Sequence, residues 1–161
     1  RERTESLRLR SCQPSKAPWL RQKQRKLTML QIVKQENKSP KYIEKIKSLG
    51  MEPNDVSVSE SIDSGVVTGY ALYSILSDCV KIYYIEAKSK TGENDLLLFD
   101  GIARSVLFLA VLKGVEKAEF SSCIAADAKM LGLSDENGTL KPISAVFNKC
   151  KGCAHADNSE G

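Results

Sequence analysis

Three closely spaced stretches of the chain read as strands, the first by alternating apolar and polar positions and the other two as largely apolar runs. Val56, Val58, Glu60 and Ile62 form the first, Val66 to Ile75 the second and Val80 to Ala87 the third. Alternation at a period of two is the mark of strands with one covered face. Asp63-Ser64-Gly65 and Ser77-Asp78 supply the turns between them, so the spacing predicts three consecutive antiparallel strands. Ahead of them, Leu30-Gln31-Ile32-Val33-Lys34 reads as a short first strand. Ser39-Pro40 then opens a helix, with Ser as N-cap and Pro at the first helical position. Tyr42, Ile43, Ile46 and Leu49 follow at helical spacing, and Gly50 closes it.

After the third strand the pattern changes. Lys88 to Asn94 is polar and reads as a surface loop. From about Gly101 to Lys113 nearly every position is apolar, with Arg104 and Ser105 as exceptions, which predicts a helix buried between layers. We expect Gly101 to lead the turn that opens it. Glu116 to Ser121 reads as a further strand, and a strand–helix–strand crossover requires parallel pairing. Residues 123–131 predict another helix stopped at Gly132, and Pro142 to Lys149 a final short one with Ile143, Val146 and Phe147 on its apolar side. The expected fold class is α/β, a mixed and mostly antiparallel sheet flanked by helices.

The chain has 161 residues, enough for one domain with a sizeable core. Its net charge of +4 is unevenly placed. Residues 1–28 hold nine Lys/Arg and two acids, a net of +7, whereas the remainder holds 15 basic and 18 acidic residues, a net of −3. The division expected is a basic arm at 1–28, a domain at 29–153 and a tail at 154–161. Such an arm suits a disordered tail, translation upstream of a start at Met29, or a segment binding nucleic acid. Aromatics are few and not interleaved with bases along the domain, so nucleic acid is disfavoured as a partner.

Five cysteines (Cys12, Cys79, Cys123, Cys150, Cys153) and no secretory h-region point to reduced thiols and a cytoplasmic setting. The longest apolar helical run, Val106 to Leu112, is far below the roughly 20 residues of a membrane span, so no membrane role is expected. Cys150-x-x-Cys153 with His155 offers three zinc ligands or a redox pair. A fourth ligand of equal quality is missing, and an unbound thiol pair is the reading kept, with no metal expected. One histidine leaves no Ser-His-Asp grouping, and no Walker-type lysine follows the glycine turn.

That turn carries the candidate chemistry. A helix N-terminus presents unpaired N–H groups and partial positive charge, and glycine lets anionic oxygens approach the backbone. A phosphate-bearing cofactor is therefore expected at Leu98-Phe99-Asp100-Gly101-Ile102-Ala103-Arg104-Ser105. The null alternatives are close packing at Gly101 and an Arg104–Asp100 ion pair four residues apart.

These residues resemble the GNAT acetyltransferase superfamily, whose cofactor turn reads Gln/Arg-x-x-Gly-x-Gly/Ala. Leu98-Phe99-Asp100-Gly101-Ile102-Ala103 matches its Gly and Ala, and Ala128-Lys129-Met130-Leu131-Gly132-Leu133 is similar to its later Tyr-x-x-Leu-Gly-Phe segment. With Phe147-Asn148-Lys149-Cys150-Lys151-Gly152-Cys153, residues 30–153 resemble a group of clostridial GNAT-like proteins. The family's Gln/Arg falls on Leu98 and its Tyr on Ala128, and Asp100 adds a negative charge. The resemblance implies acetyl-CoA as cosubstrate, held by Ile85, Ala87 and the residues from Leu98 to Ser105. It also implies direct acetyl transfer to a small-molecule or protein amine. Glu86, at the end of the central strand, is the candidate base. The alternative is that Glu86 is an ordinary solvent-facing carboxylate. Tyr83, Tyr84 or a water is left to protonate the departing thiolate. The alternative is a non-catalytic CoA-binding or regulatory protein on the same fold. A homodimer is left open.

Overall fold

The structure, a computed structural model, describes residues 30–89 and 91–148. The arm, the Cys150/Cys153/His155 group and the tail lie outside the described residues.

Six strands form one sheet in chain order: β1 (Leu30–Gln35), β2 (Ser57–Asp63), β3 (Val66–Ile75), β4 (Val80–Ala87), β5 (Ala118–Phe120) and β6 (Thr139–Leu140). All neighbours pair antiparallel except β4 and β5, which run parallel as the crossover requires. The expected meander is β2–β3–β4. Its first turn has Ser64 at φ 53° and Gly65 at φ 83°, the left-handed pair that matches the twist of a two-residue hairpin.

Helix α1 (Pro40–Ser48) follows the expected start, with Pro at its first turn, and Gly50 beyond its end has φ 76°. Period-two alternation sends Tyr70 and Leu72 of β3 to one face of the sheet, where they pack with Tyr42 and Ile46 of α1 and Val56 and Val58. Ala71 and Tyr73 go to the other face, beneath α2 (Leu96–Leu112) and α3 (Ser122–Met130). There Ile102, Ala103, Val106, Leu107 and Ala110 are fully buried, as an apolar helix between layers should be. The Tyr73 hydroxyl lies 2.9 Å from the Ser59 hydroxyl, which satisfies two buried polar groups.

One boundary departs from expectation. Helix α2 opens at Leu96, five residues ahead of Gly101, with Asp95 as N-cap. The Asp95 carboxylate accepts from the Leu98 N–H at 3.0 Å, and the Asp95 N–H donates to the Ala87 carbonyl at 3.0 Å. An isolated bridge between Lys88 and Asn94 closes the loop just before it. The cap is thus fixed by β4 rather than by a glycine. Gly101 lies in the second turn of the helix and leads no turn. The C-terminal segment is also shorter in helix than expected, a 3-10 turn over Ile143–Val146 that buries Ile143 and Val146. No helix among the described residues is long and apolar enough to cross a membrane.

Candidate functional site

Strand β5 accompanies β4 for only three residues, pairing Val80 with Ala118, Lys81 with Glu119 and Ile82 with Phe120. There β5 ends and α3 begins. The Ser121 N–H donates to the Ile82 carbonyl at 2.9 Å, and the Ser121 hydroxyl donates to the Tyr83 carbonyl at 2.5 Å. At the same point β4 is bulged on its other side: Leu72 faces Tyr84 while Tyr73 faces Ile82, leaving Tyr83 as the extra residue. A bulge bends its strand and sharpens the twist. Past Tyr83 the strand continues to Ala87, and among the described residues no strand lies beside it on that edge.

The gap is a cavity of about 190 Å3 lined by residues of β4, α3 and the start of α2. Tyr84, Ile85 and Ala87 form the β4 wall, Asn94, Asp95 and Phe99 one end, and Cys123 and Asp127 the α3 wall. The ladder fixes which backbone groups face it. Lys88 donates to the Thr68 carbonyl, so Lys88, Glu86 and Tyr84 are the residues hydrogen-bonded to β3. Ile85 and Ala87 alternate with them and turn their N–H and C=O groups toward the gap. Ala87 spends its carbonyl on Asp95, whereas Ile85 has both groups available to a ligand. The Cys123 thiol donates to the Tyr83 carbonyl at 3.3 Å.

Glu86 points the other way, to the α1 face. It lines a separate cavity of about 250 Å3 with Lys41, Gly69, Tyr70 and Lys88. Around it stand three tyrosines, with ring centroids 4.8 Å apart for Tyr42–Tyr70 and 5.9 Å for Tyr70–Tyr84. Lys45 places its ammonium 4.1 Å from the Tyr84 ring centroid. The Tyr42 hydroxyl donates to Glu60, which also accepts from Gln35 at 2.6 Å. Burial, and then the charge of Glu86, push the Tyr70 and Tyr84 hydroxyls above the ordinary tyrosine value of 10.0. Tyr84 borders the gap and shares the face of Glu86, so it holds a proton at neutral pH between the two cavities.

No family model matches the chain, and no curated protein does. Three solved structures are among those similar to the chain. One is a candidate acetyltransferase of the GNAT family from Desulfovibrio desulfuricans, at 12% identity over 65% of this chain and 82% of that one, with a TM-score of 0.45. The second is the candidate N-acetyltransferase YhhK from E. coli bound to coenzyme A, at 10% identity over 71% and 99%, TM-score 0.46. The third is an acetyltransferase from Bacillus subtilis in complex with CoA, at 12% identity over 65% and 76%, TM-score 0.41.

The residues expected to hold a cofactor divide into two groups. Ile85, Ala87 and Phe99 line the gap, and Leu98 lines a neighbouring cavity with Leu97 and Asp95. Asp100, Gly101, Ile102, Ala103, Arg104 and Ser105 line neither. Their amides belong to the helical ladder of α2, whose unpaired donors are confined to its first turn, so they present no N–H group to a phosphate. Ile102 and Ala103 are core residues. The Arg104 Nε donates to both Asp100 carboxylate oxygens, at 2.9 and 2.8 Å, and its terminal NH group donates to the Val146 carbonyl at 3.1 Å. That pair ties the C-terminal turn to α2. Asp95 and Cys123 are the site residues that sequence reasoning did not assign to the gap, whereas Tyr84 was among the candidates to protonate the thiolate. Cys123 carried no motif, and it reaches the gap only because β5 is three residues long.

A substitution separates a glycine turn from a helix interior. A Cβ added at Gly101 meets nothing within 4 Å. Gly101→Ala is expected to stabilise the fold by about 0.5–1 kcal/mol, as alanine does in an unobstructed helix. Chemical denaturation measures it, and destabilisation would contradict the helical placement.

Proposed function

We propose that the chain binds acetyl-CoA in the gap beside β4 and transfers its acetyl group to an amine. The observation that carries this reading is the parting of β4 and β5 at the Tyr83 bulge. It leaves the free N–H of Ile85 at the wall of a narrow cavity that Tyr84 also borders. A thioester entering the gap meets the Ile85 N–H at its carbonyl oxygen, where negative charge grows as the amine attacks. Glu86, across the strand, takes a proton from the acceptor ammonium. The new C–N bond forms as the C–S bond breaks, the CoA sulfur leaves as a thiolate that takes the Tyr84 proton, and the second proton shed by the acylated nitrogen restores the Tyr84 hydroxyl. With α2 opening at Leu96 behind its Asp95 cap, the unpaired donors nearest the gap are the N–H groups of Leu96 and Leu97, and these replace the amides after Gly101 as the phosphate contacts.

Cys123 reports occupancy of the gap. Its side chain is exposed and lines the cavity, whereas Cys79 is buried. Saturating CoA is expected to slow iodoacetamide labelling of Cys123 at least tenfold, followed by site-resolved mass spectrometry. Labelling at the same rate with and without CoA would overturn the proposal.

A second reading has its own support. Asp95 and Asp127 place two carboxylates at the gap, and Ala128, where the resemblance places a tyrosine, is fully buried. A CoA-binding regulatory protein would show the same protection of Cys123 but release no CoA thiol from acetyl-CoA with any amine.

A further inference from the structure

The cavity on the α1 face has a charge pattern of its own. It holds one carboxylate, Glu86, and two ammonium groups, Lys41 and Lys88. Among the described residues none of the three has an oppositely charged partner within 4.0 Å, although other lysines and acids of the domain do pair. Glu60, the other acid on this face, already accepts from Tyr42 and Gln35. Lys41 is held at the cavity wall by the tyrosines, with its ammonium 5.1 Å from the Tyr70 ring centroid and 5.7 Å from that of Tyr42. The remaining wall is small and uncharged: Val66, Val67, Thr68 and Gly69.

We propose that this cavity takes a free amino acid, with its ammonium against Glu86 and its carboxylate between Lys41 and Lys88. A carboxylate and two cations within one cavity complement a zwitterion, while a simple alkylamine or a polyamine meets the two lysines with like charge. A charge-assisted hydrogen bond to the ligand carboxylate contributes about 1.5–3 kcal/mol, a tenfold or larger preference. The cavity volume of about 250 Å3 admits a small amino acid. The proposal deepens the acetyl-transfer reading, on which it rests for the role of Glu86 as base: the acceptor would be an α-amino group.

Isothermal titration of the full chain with alanine, ethylamine, alaninamide, serine and ethanolamine tests it. Alanine and serine are expected to bind at least tenfold tighter than their partners lacking a carboxylate. In the K41Q/K88Q double variant that preference is expected to fall to about twofold or less. Equal or tighter binding of the amines, no binding of either amino acid at millimolar concentration, or a preference unchanged in the double variant would each overturn it. CoA titrated in parallel separates the two claims. Amino-acid binding without CoA binding would refute acetyl transfer and leave the amino-acid site standing, and CoA binding without amino-acid binding would do the reverse.

Discussion

Glu86→Gln is expected to lower the rate of amine-dependent CoA release by about 10²–10⁴-fold while leaving CoA affinity within about twofold. The separation follows from placement. Glu86 lies on the α1 face and does not line the gap, so the cofactor wall formed by Ile85, Ala87 and Phe99 is untouched. Glutamine keeps the side chain's size and removes the ability to take a proton. The same change has a second signature, because the charge of Glu86 contributes to holding the Tyr42, Tyr70 and Tyr84 hydroxyls above their ordinary value. A folded-state tyrosine pKa raised above 10 contributes its full stability below pH 10. That contribution is lost as pH rises through the folded value, because the unfolded chain ionises first. Removing the Glu86 charge lowers the folded-state values, so the loss of stability with rising pH ends sooner in the variant, and the two curves part only where the folded-state hydroxyls begin to ionise. Steady-state kinetics, and denaturation carried to the pH at which the folded tyrosines ionise, measure both effects. A rate lowered less than threefold would remove Glu86 from the chemistry.

Gly69→Ala is expected to cost about 3 kcal/mol of stability, near the upper end for overpacking. Gly69 sits where β3, β4 and α2 come together. A Cβ there would lie 2.4 Å from the Glu86 carbonyl oxygen, 2.8 Å from Ile102 Cδ1 and 3.3 Å from Ala87 Cα. The first and third contacts are backbone and cannot swing aside, and Ile102 is fully buried. Relief requires β4 to move away from β3 over Glu86 and Ala87, the stretch that separates the two cavities. The thermal midpoint should fall by roughly 10 °C, and CoA binding should weaken with it. A midpoint within about 2 °C of the parent would mean that the strands are not this close.

The strands were legible because their chemistry is local. Alternation over Val56–Ile62, the apolar runs Val66–Ile75 and Val80–Ala87 and the turns between them gave the meander, Ser39-Pro40 and Gly50 bounded α1, and the apolar run after Gly101 gave the buried helix. The true start of α2 was not legible. Asp95 follows Glu93 and Asn94 in a polar stretch that reads as loop, and it caps the helix because its own N–H is anchored by Ala87 across the chain. Gly101 attracted the reading because glycine is common at turns, yet here it occupies an open place on a helix. β6 pairs only Thr139 with Glu119 and Leu140 with Ala118, too few residues for any period to show. The gap itself depends on how far β5 runs beside β4, a property of the tertiary fold that no short stretch of sequence contains. Glu86 was named as a candidate from its position on the strand, and the residues around it, Tyr42, Tyr70 and Lys41, come from elements far apart in the chain.

Amide chemical shifts in a titration with CoA test the central claim most directly. Binding in the gap predicts that the backbone resonances of Ile85, Ala87, Leu96, Leu97 and Cys123 move together along one saturating curve, while those of Ile102, Ala103 and Ser105 inside α2 stay nearly still. Shifts absent at millimolar CoA, or concentrated at Gly101–Ser105 with Ile85 and Cys123 unmoved, would contradict the placement of a cofactor between β4 and α3.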